Sequence, residues 1–246
     1  MRILHEAKQH DSNSFITLTY DPANLPPNRS LNHRDFQLFL KRLRKLNGPY
    51  GVRFYMAGEY GEKLERPHYH ACIFGQDFRW DRKPNGKSAS GHVYYSSKTL
   101  DALWGKGKTS VQDLTPETAS YCARYIMKKQ MGKLAATAYD QIDEDGVITR
   151  REPEYNRMSL KPGIGHGFIT QYAEQIYRHD QVVMEGRAKK PPRYYDRIAE
   201  RMGLDLDDTK HKRELAARNH QAENTPERLA VAEQVHQAKI KSRNLK

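Results

Sequence analysis

Two cysteines, Cys72 and Cys122, are all that 246 residues contain. That scarcity excludes a disulfide scaffold and a zinc site built on cysteine. No apolar run approaches the roughly 18 residues that a membrane helix needs. The first residues, Met1 to Asp11, lack the apolar stretch of a signal peptide, so a reducing cytoplasm is the expected compartment. Apolar residues are few as well, 37% against 29% charged, and part of the chain is expected to lack a core of its own. Acidic residues are outnumbered: 30 Asp and Glu face 42 Lys and Arg, a net charge of +12 and a pI of about 9.6. Such a surface draws polyanions, although structural basic proteins share it. A phosphate-binding P-loop is also missing. Gly107-Lys108-Thr109 resembles its end, but Ala102 stands where the first glycine belongs, and Gly86-Lys87-Ser88 fails likewise with Asp81 there. No nucleotide-driven motor is expected.

Aromatic residues stop at Tyr195, and residues 187–246 hold 15 Lys and Arg against 9 Asp and Glu. This stretch reads as a basic extension, helical or partly disordered. Pro191 and Pro192 mark a break, so residues 1–186 are expected to form one domain and 187–246 the extension.

Within residues 1–186 the pattern is mixed. Phe15 to Tyr20 is β-branched and aromatic and predicts a strand. Leu31 to Leu46 places Phe36, Phe39, Leu40, Leu43 and Leu46 on one helical stripe. Val52 to Glu59 and Pro67 to Phe74 predict two strands joined by a turn at Gly61 to Arg66, most simply an antiparallel hairpin. Gly75 to Ser97 reads as loop. A short helix is expected at Thr99 to Trp104 and a strand at Thr109 to Leu114. A helix capped by Thr115, with Pro116 at its first position, is expected to run to Met131. Gly167 to Arg178 and Tyr194 to Met202 look helical. The order predicts an α+β fold, a central antiparallel sheet with flanking helices.

Two groups of residues carry chemistry. His68 and His70 lie on one face of a strand, about 7 Å apart along the chain. Glu59, at the end of the partner strand, returns beside them through the hairpin. Two imidazoles and a carboxylate suit a divalent metal with open positions. Two unrelated histidines on a strand give the same pattern. The second group is Tyr121, Tyr125 and Lys128, within about 60° of one another on a helix of 3.6 residues per turn. Arg124 flanks them, and Ala119, Cys122, Ala123, Ile126 and Met127 form the opposite, apolar side. A nearby cation or metal favours the tyrosine phenolate, which ordinarily forms near pH 10. Two half-buried tyrosines on an amphipathic helix are the plainer alternative. A third segment, Lys161 to Gly167, offers glycines for close approach to phosphate or serves as an ordinary loop. A metal, paired tyrosines and a basic surface together point to phosphoryl transfer on nucleic acid.

The segments Phe15-Ile-Thr-Leu-Thr-Tyr20, Gly58-Glu-Tyr-Gly61, Arg66-Pro-His-Tyr-His-Ala-Cys-Ile-Phe-Gly75 and Tyr121-Cys-Ala-Arg-Tyr-Ile-Met-Lys-Lys129 occur in the order seen in HUH endonucleases. Over roughly residues 14–170, including Lys161-Pro-Gly-Ile-Gly165, the chain resembles the rolling-circle replication initiators of microviruses of the gokushovirus type. The resemblance implies the HUH replication-initiator fold and Mg²⁺ or Mn²⁺ on His68, His70 and Glu59. It implies Tyr121 and Tyr125 as alternating nucleophiles and Lys128 as their phosphate or phenolate partner. It further implies a nick in single-stranded origin DNA in the host cytoplasm, with unwinding and synthesis left to a host helicase and polymerase, and no membrane partner. A transposase or relaxase with the same metal centre is one alternative, though those rely on one tyrosine or on another histidine pattern. A non-catalytic single-strand-binding module with aromatics stacking on bases is another.

Overall fold

In the first strand, β1 (Asn13–Thr19), Ile16 and Leu18 alternate with Phe15, Thr17 and Thr19, so the two sets face opposite sides of a sheet. The structure is a computed structural model that describes residues 1–61, 64–88, 91–124, 129, 135, 137–142 and 145–244. It divides into two compact units, Met1–Phe168 and Ile169–Lys246.

In the first unit β3 (Pro67–Phe74) pairs antiparallel with β1, placing Thr17 opposite His70 and Phe15 opposite Cys72. On its other side β3 pairs with β2 (Arg53–Tyr60), the predicted hairpin, with Glu59 opposite His68. β6 (Thr109–Asp113) joins the free side of β1. The sheet is completed by β4 (Lys83–Lys87), β5 (Val93–Ser96) and β9 (Tyr155–Met158). It has seven strands in the order β4-β5-β6-β1-β3-β2-β9, with every neighbouring pair antiparallel. A separate small hairpin joins β7 (Asp140–Ile142) to β8 (Ile148–Arg150).

Helices cover both faces. α2 (His33–Asn47) presses Phe36, Phe39, Leu40 and Leu43 onto Ile16, Leu18, Met56, Tyr69 and Ile73, and α3 (Lys98–Trp104) adds Leu100 and Trp104. Each large apolar side chain buried there contributes about 2 kcal/mol. The opposite face receives Ile3 from α1 (Arg2–Ala7) and Ala119 and Cys122 from α4 (Pro116–Arg124), packed with Phe15, Ala57, Cys72 and Phe74. The fold is therefore α+β, a central antiparallel sheet with flanking helices. α4 begins as expected, with the Thr115 hydroxyl accepting from the Thr118 amide at 3.3 Å. Its expected continuation through Tyr125 to Met131 lies outside the described residues, apart from Lys129.

The stretch 75–97, expected to be loop, contains the β4–β5 hairpin instead. Lys-Pro-Asn-Gly-Lys holds no good strand former, and all five residues of β4 are exposed. The strand exists because Val93 to Ser96 supplies partners. Gly86 is required there, since a Cβ on it would lie 2.6 Å from the Tyr94 hydroxyl. β9 and the short α1 were likewise not foreseen.

The two glycine segments are both used inside the protein. Gly107 has φ 143°, and a Cβ on it would lie 2.3 Å from the Asp21 amide nitrogen. The flanking Lys106 and Lys108 carbonyls accept from the amides of Asp21 and Thr19. The Gly-Lys-Thr segment thus prolongs the β1–β6 pairing. In the loop 161–167, the Gly165 amide donates to the Glu6 carboxylate at 2.6 Å, and Ile164 is buried.

In the second unit α5 (His166–His179) continues past the boundary. A β10 (Val182–Met184) and β11 (Arg187–Lys189) hairpin follows, then α6 (Arg193–Arg201), α7 (Asp207–Asn219) and α8 (Pro226–Asn244). α6 buries Tyr195, Ile198 and Ala199. Arg213 of α7 pairs with both Asp180 and Asp196, Tyr177 donates to Asp196 at 2.7 Å, and Leu206 is buried. The start of the extension is thus anchored more firmly than its composition suggests. Beyond Leu206 no described side chain is buried. Among the described residues no helix is long and apolar enough to cross a membrane.

Glu6 holds the amino-terminal helix to the sheet. Its carboxylate accepts from Arg53, from the Gly165 amide and from His10. Burial pushes this carboxyl up, but those bonds and the Arg53 charge outweigh it and hold it at about 2, below the ordinary 4.5. A depressed carboxyl stabilises the fold above its unfolded pKa, and that contribution disappears as pH falls through the folded value. The melting temperature should therefore drop between pH 4.5 and 2. Glu6→Gln should lose about 2–3 kcal/mol at pH 7 and show a flatter acid limb in thermal melts.

Candidate metal and tyrosine site

The β1–β3–β2 register sets Thr17, His70 and Ala57 in one row across the sheet, and Thr19, His68 and Glu59 in the next. All lie on the face covered by α4. Between the two histidines, Tyr69 points to the other face, where its hydroxyl accepts from the Asn32 amide and donates to the Asn32 carbonyl. The middle residue of His-Tyr-His thus anchors the start of α2, and the outer two build the site.

One ligand atom from each of Glu59, His68 and His70 lies within 4.8 Å of the others. His68 Nε2 is 2.7 Å from Glu59 Oε1, and His70 Nε2 is 3.3 Å from the same oxygen. The two rings stand almost perpendicular, with centroids 4.9 Å apart. Their other nitrogens are held from behind. His68 Nδ1 donates to the Arg66 carbonyl at 3.0 Å, and His70 Nδ1 lies 3.0 Å from the Thr17 hydroxyl. A carbonyl only accepts, so the proton of neutral His68 sits on Nδ1 and its Nε2 lone pair faces the carboxylate. Lone pair against carboxylate is repulsive unless a proton or a cation lies between them. Imidazoles fixed through Nδ1, with both Nε2 atoms turned to one carboxylate, are what a divalent ion requires. The donor set fits such a group.

Glu59 is 3% exposed and His70 6%. Burial pushes the Glu59 carboxyl up, yet hydrogen bonds to His68 and His70 and their charge overcome it and hold it at about 2. The carboxylate is charged at any working pH.

α4 brings Tyr121 to this site. The Cys122 thiol donates to the His70 carbonyl at 3.5 Å, which seats the helix directly over β3. The Tyr121 ring meets the His70 ring edge to face at 5.4 Å and Phe15 at 6.1 Å, while Phe15 stacks on His70 at 5.6 Å. Tyr121 is 45% exposed, so its ring borders the site and reaches solvent. The expected partners Tyr125 and Lys128 lie outside the described residues. Thr17 and Phe15, which orient and wall His70, were not foreseen as site residues. The signal for Thr17 was present: it alternates with Ile16 and Leu18 and therefore faces away from the apolar core.

Residues 13–130 match the family model for replication-associated proteins of the ORF2 type. The chain is 37% identical to replication-associated protein VP4 of Bdellovibrio phage phiMH2K, over 79% of this chain and 60% of the relative. It is 34% identical to replication-associated protein ORF2 of Spiroplasma virus 4, over 84% and 64%. With replication-associated protein ORF4 of Chlamydia phage 1 it shares 30% identity over 77% and 46%. The chain thus spans about three fifths of the first two relatives. No solved structure matches. Through residues 13–130, which hold the Glu59–His68–His70 group and Tyr121, the chain belongs to the ORF2 family of replication-associated proteins.

Proposed function

We propose that this protein is a metal-dependent endonuclease and strand transferase that nicks single-stranded DNA at a phage origin and rejoins it in rolling-circle replication. The observation that carries the reading is the convergence of two backed imidazoles on one Glu59 oxygen beside the Tyr121 ring. The names of the relatives support a role in replication.

Glu59, His68 and His70 would hold Mg²⁺ or Mn²⁺, which when bound polarises the scissile phosphate. The chain's own groups supply the rest. The net charge of +12 attracts the DNA backbone. Thr17 and the Arg66 carbonyl keep the imidazoles oriented. The Tyr121 oxygen forms a bond to phosphorus as the bond to the 3′ oxygen breaks. The phenolic proton passes to solvent and the leaving 3′ oxygen takes one up, leaving a 5′-phosphotyrosine and a free 3′-hydroxyl. Arg124 and Lys128 are the cations for the phenolate. Tyr125, one turn after Tyr121, is the second nucleophile. While Tyr121 is esterified, Tyr125 cuts the regenerated origin, and the released 3′-hydroxyl attacks the first phosphotyrosine and closes the circle. The phosphodiester energy stays in the covalent link, so joining needs no ATP. A host helicase and polymerase would extend the strand between the two cuts. Residues 1–186 carry this chemistry, and 187–246 add electrostatic affinity.

Three outcomes test the proposal. On a denaturing gel with single-stranded origin DNA and Mn²⁺, His68→Ala or His70→Ala should abolish nicking and leave most DNA affinity, which phosphate contacts supply. Thr17→Val should weaken Mn²⁺ binding about tenfold. Full cleavage by the double histidine variant in EDTA would overturn the metal assignment. Second, Tyr121→Phe and Tyr125→Phe should each retain some cleavage but slow at repeated rounds, and the double variant should form no covalent adduct by mass spectrometry. An adduct on the double variant would move the nucleophile elsewhere. Third, a chain ending at Asn219 should nick as the full chain does. Ending at Leu204 removes Leu206 and Arg213, so that variant should keep nicking at low salt but melt earlier. Loss of nicking at Asn219 would contradict the domain assignment.

A further inference from the structure

A cavity of about 590 Å³ opens on the first unit at the edge of the sheet, where the start of α2 meets the segment leading into β9. That size suits a small ligand. Its lining is of two kinds. Pro26, Pro27, Leu31, Pro153 and Tyr155 give flat and apolar surface, whereas Arg34, Lys129 and Arg157 give positive charge. Arg34 and Arg157 are exposed, and neither is paired with a carboxylate among the described residues. Glu152 is the one acidic residue lining the cavity. His33 lies with Nδ1 3.2 Å from the Tyr155 hydroxyl, and burial together with the Arg157 charge lowers its pKa. The α2 amide of Arg34 is already capped by the Asn32 side chain, so anion binding here rests on the arginine side chains.

The cavity stands in a defined relation to the candidate metal site. Tyr155 packs against Gly58, where a Cβ would lie 3.3 Å from its ring. Gly58 is next to Glu59 in β2 and faces the opposite side of the sheet. β9 pairs only with β2 and is the edge strand. Asn156 shares the face of His70 through Ala57, while Tyr155 and Arg157 share the face of the cavity. A strand of nucleic acid leaving Glu59 therefore has to turn around a single short strand to reach the cavity.

We propose that this cavity receives one unpaired nucleotide of the bound DNA strand, with its phosphate on Arg34 and Arg157 and its base against Tyr155 and the prolines. An aromatic ring beside cations that no carboxylate neutralises is the chemistry of single-strand recognition. This inference rests on the DNA-nicking reading for its ligand and adds a binding element that the reaction itself does not require.

The test uses the full chain and an oligo(dT) of about 20 nucleotides carrying 5-iodouracil, long enough to span the groove of a single-strand-binding domain, in EDTA so that no cleavage intervenes. Irradiation followed by peptide mapping should find the cross-link on Tyr155. Arg34→Ala/Arg157→Ala should bind the same oligonucleotide about tenfold more weakly at unchanged melting temperature. Its slope of log affinity against log salt should be shallower by about 0.7, as expected for one lost single-strand phosphate contact. Cross-links confined to other segments, or a double variant that binds like wild type, would overturn the proposal. A Tyr155 cross-link in a protein that never nicks origin DNA with Mn²⁺ would sink the catalytic reading and leave the cavity assignment standing. Nicking without the cross-link would do the reverse.

Discussion

The antiparallel register of β1, β3 and β2 is the constraint on which the rest of the molecule depends. Side chains alternate with a period of two, so a slip of one residue would turn His68 and His70 into the apolar core and Tyr69 out of it. The register is held chiefly from the far side of the sheet. Ile16, Leu18, Met56, Tyr69 and Ile73 are buried under α2 and α3. Tyr69 is also pinned by two hydrogen bonds to the Asn32 backbone, and Tyr20 by one to Asp35 at 2.8 Å. Packing energy on one face thus fixes polar geometry on the other.

The polar face is then tuned by short-range contacts. Thr17 and the Arg66 carbonyl orient the imidazoles, and Cys122 seats α4 on the carbonyl of His70. Small apolar residues, Ala119 and Cys122, let that helix lie close enough for Tyr121 to reach the His70 ring. The same two buried thiols that exclude a disulfide framework serve as packing here.

Glycine segments that look like phosphate cradles have a different explanation in each case. Gly107 lets β6 run against β1 where any Cβ would collide with backbone, and the Gly165 amide is taken by the protein's own Glu6 carboxylate. Amides already satisfied internally are not free to hold a ligand. The exposed Arg34 and Arg157 of the edge cavity are, and they sit where the sheet is only one strand wide beyond Glu59.

By itself the sequence determined what local periodicity and spacing can encode. The α2 stripe, the β2–β3 hairpin, the Thr115 cap and the bringing together of Glu59, His68 and His70 all follow from repeats of 3.6 or 2 residues and one short turn. The α4 face was legible for the same reason, with Ala119 and Cys122 buried and Tyr121 outward. What only the tertiary structure decided involves partners far apart in the chain. β4 and β9 become strands because Val93–Ser96 and β2 offer unpaired backbone groups, against the local propensity of Lys83–Lys87. Thr17 backs His70 across 53 positions of sequence, and Glu6 reaches Gly165 across 159. Arg213 anchors a helix that composition marks as solvated, by finding Asp180 and Asp196 in space. Such contacts depend on which faces the chain brings together after collapse, and no window of neighbouring residues carries that information.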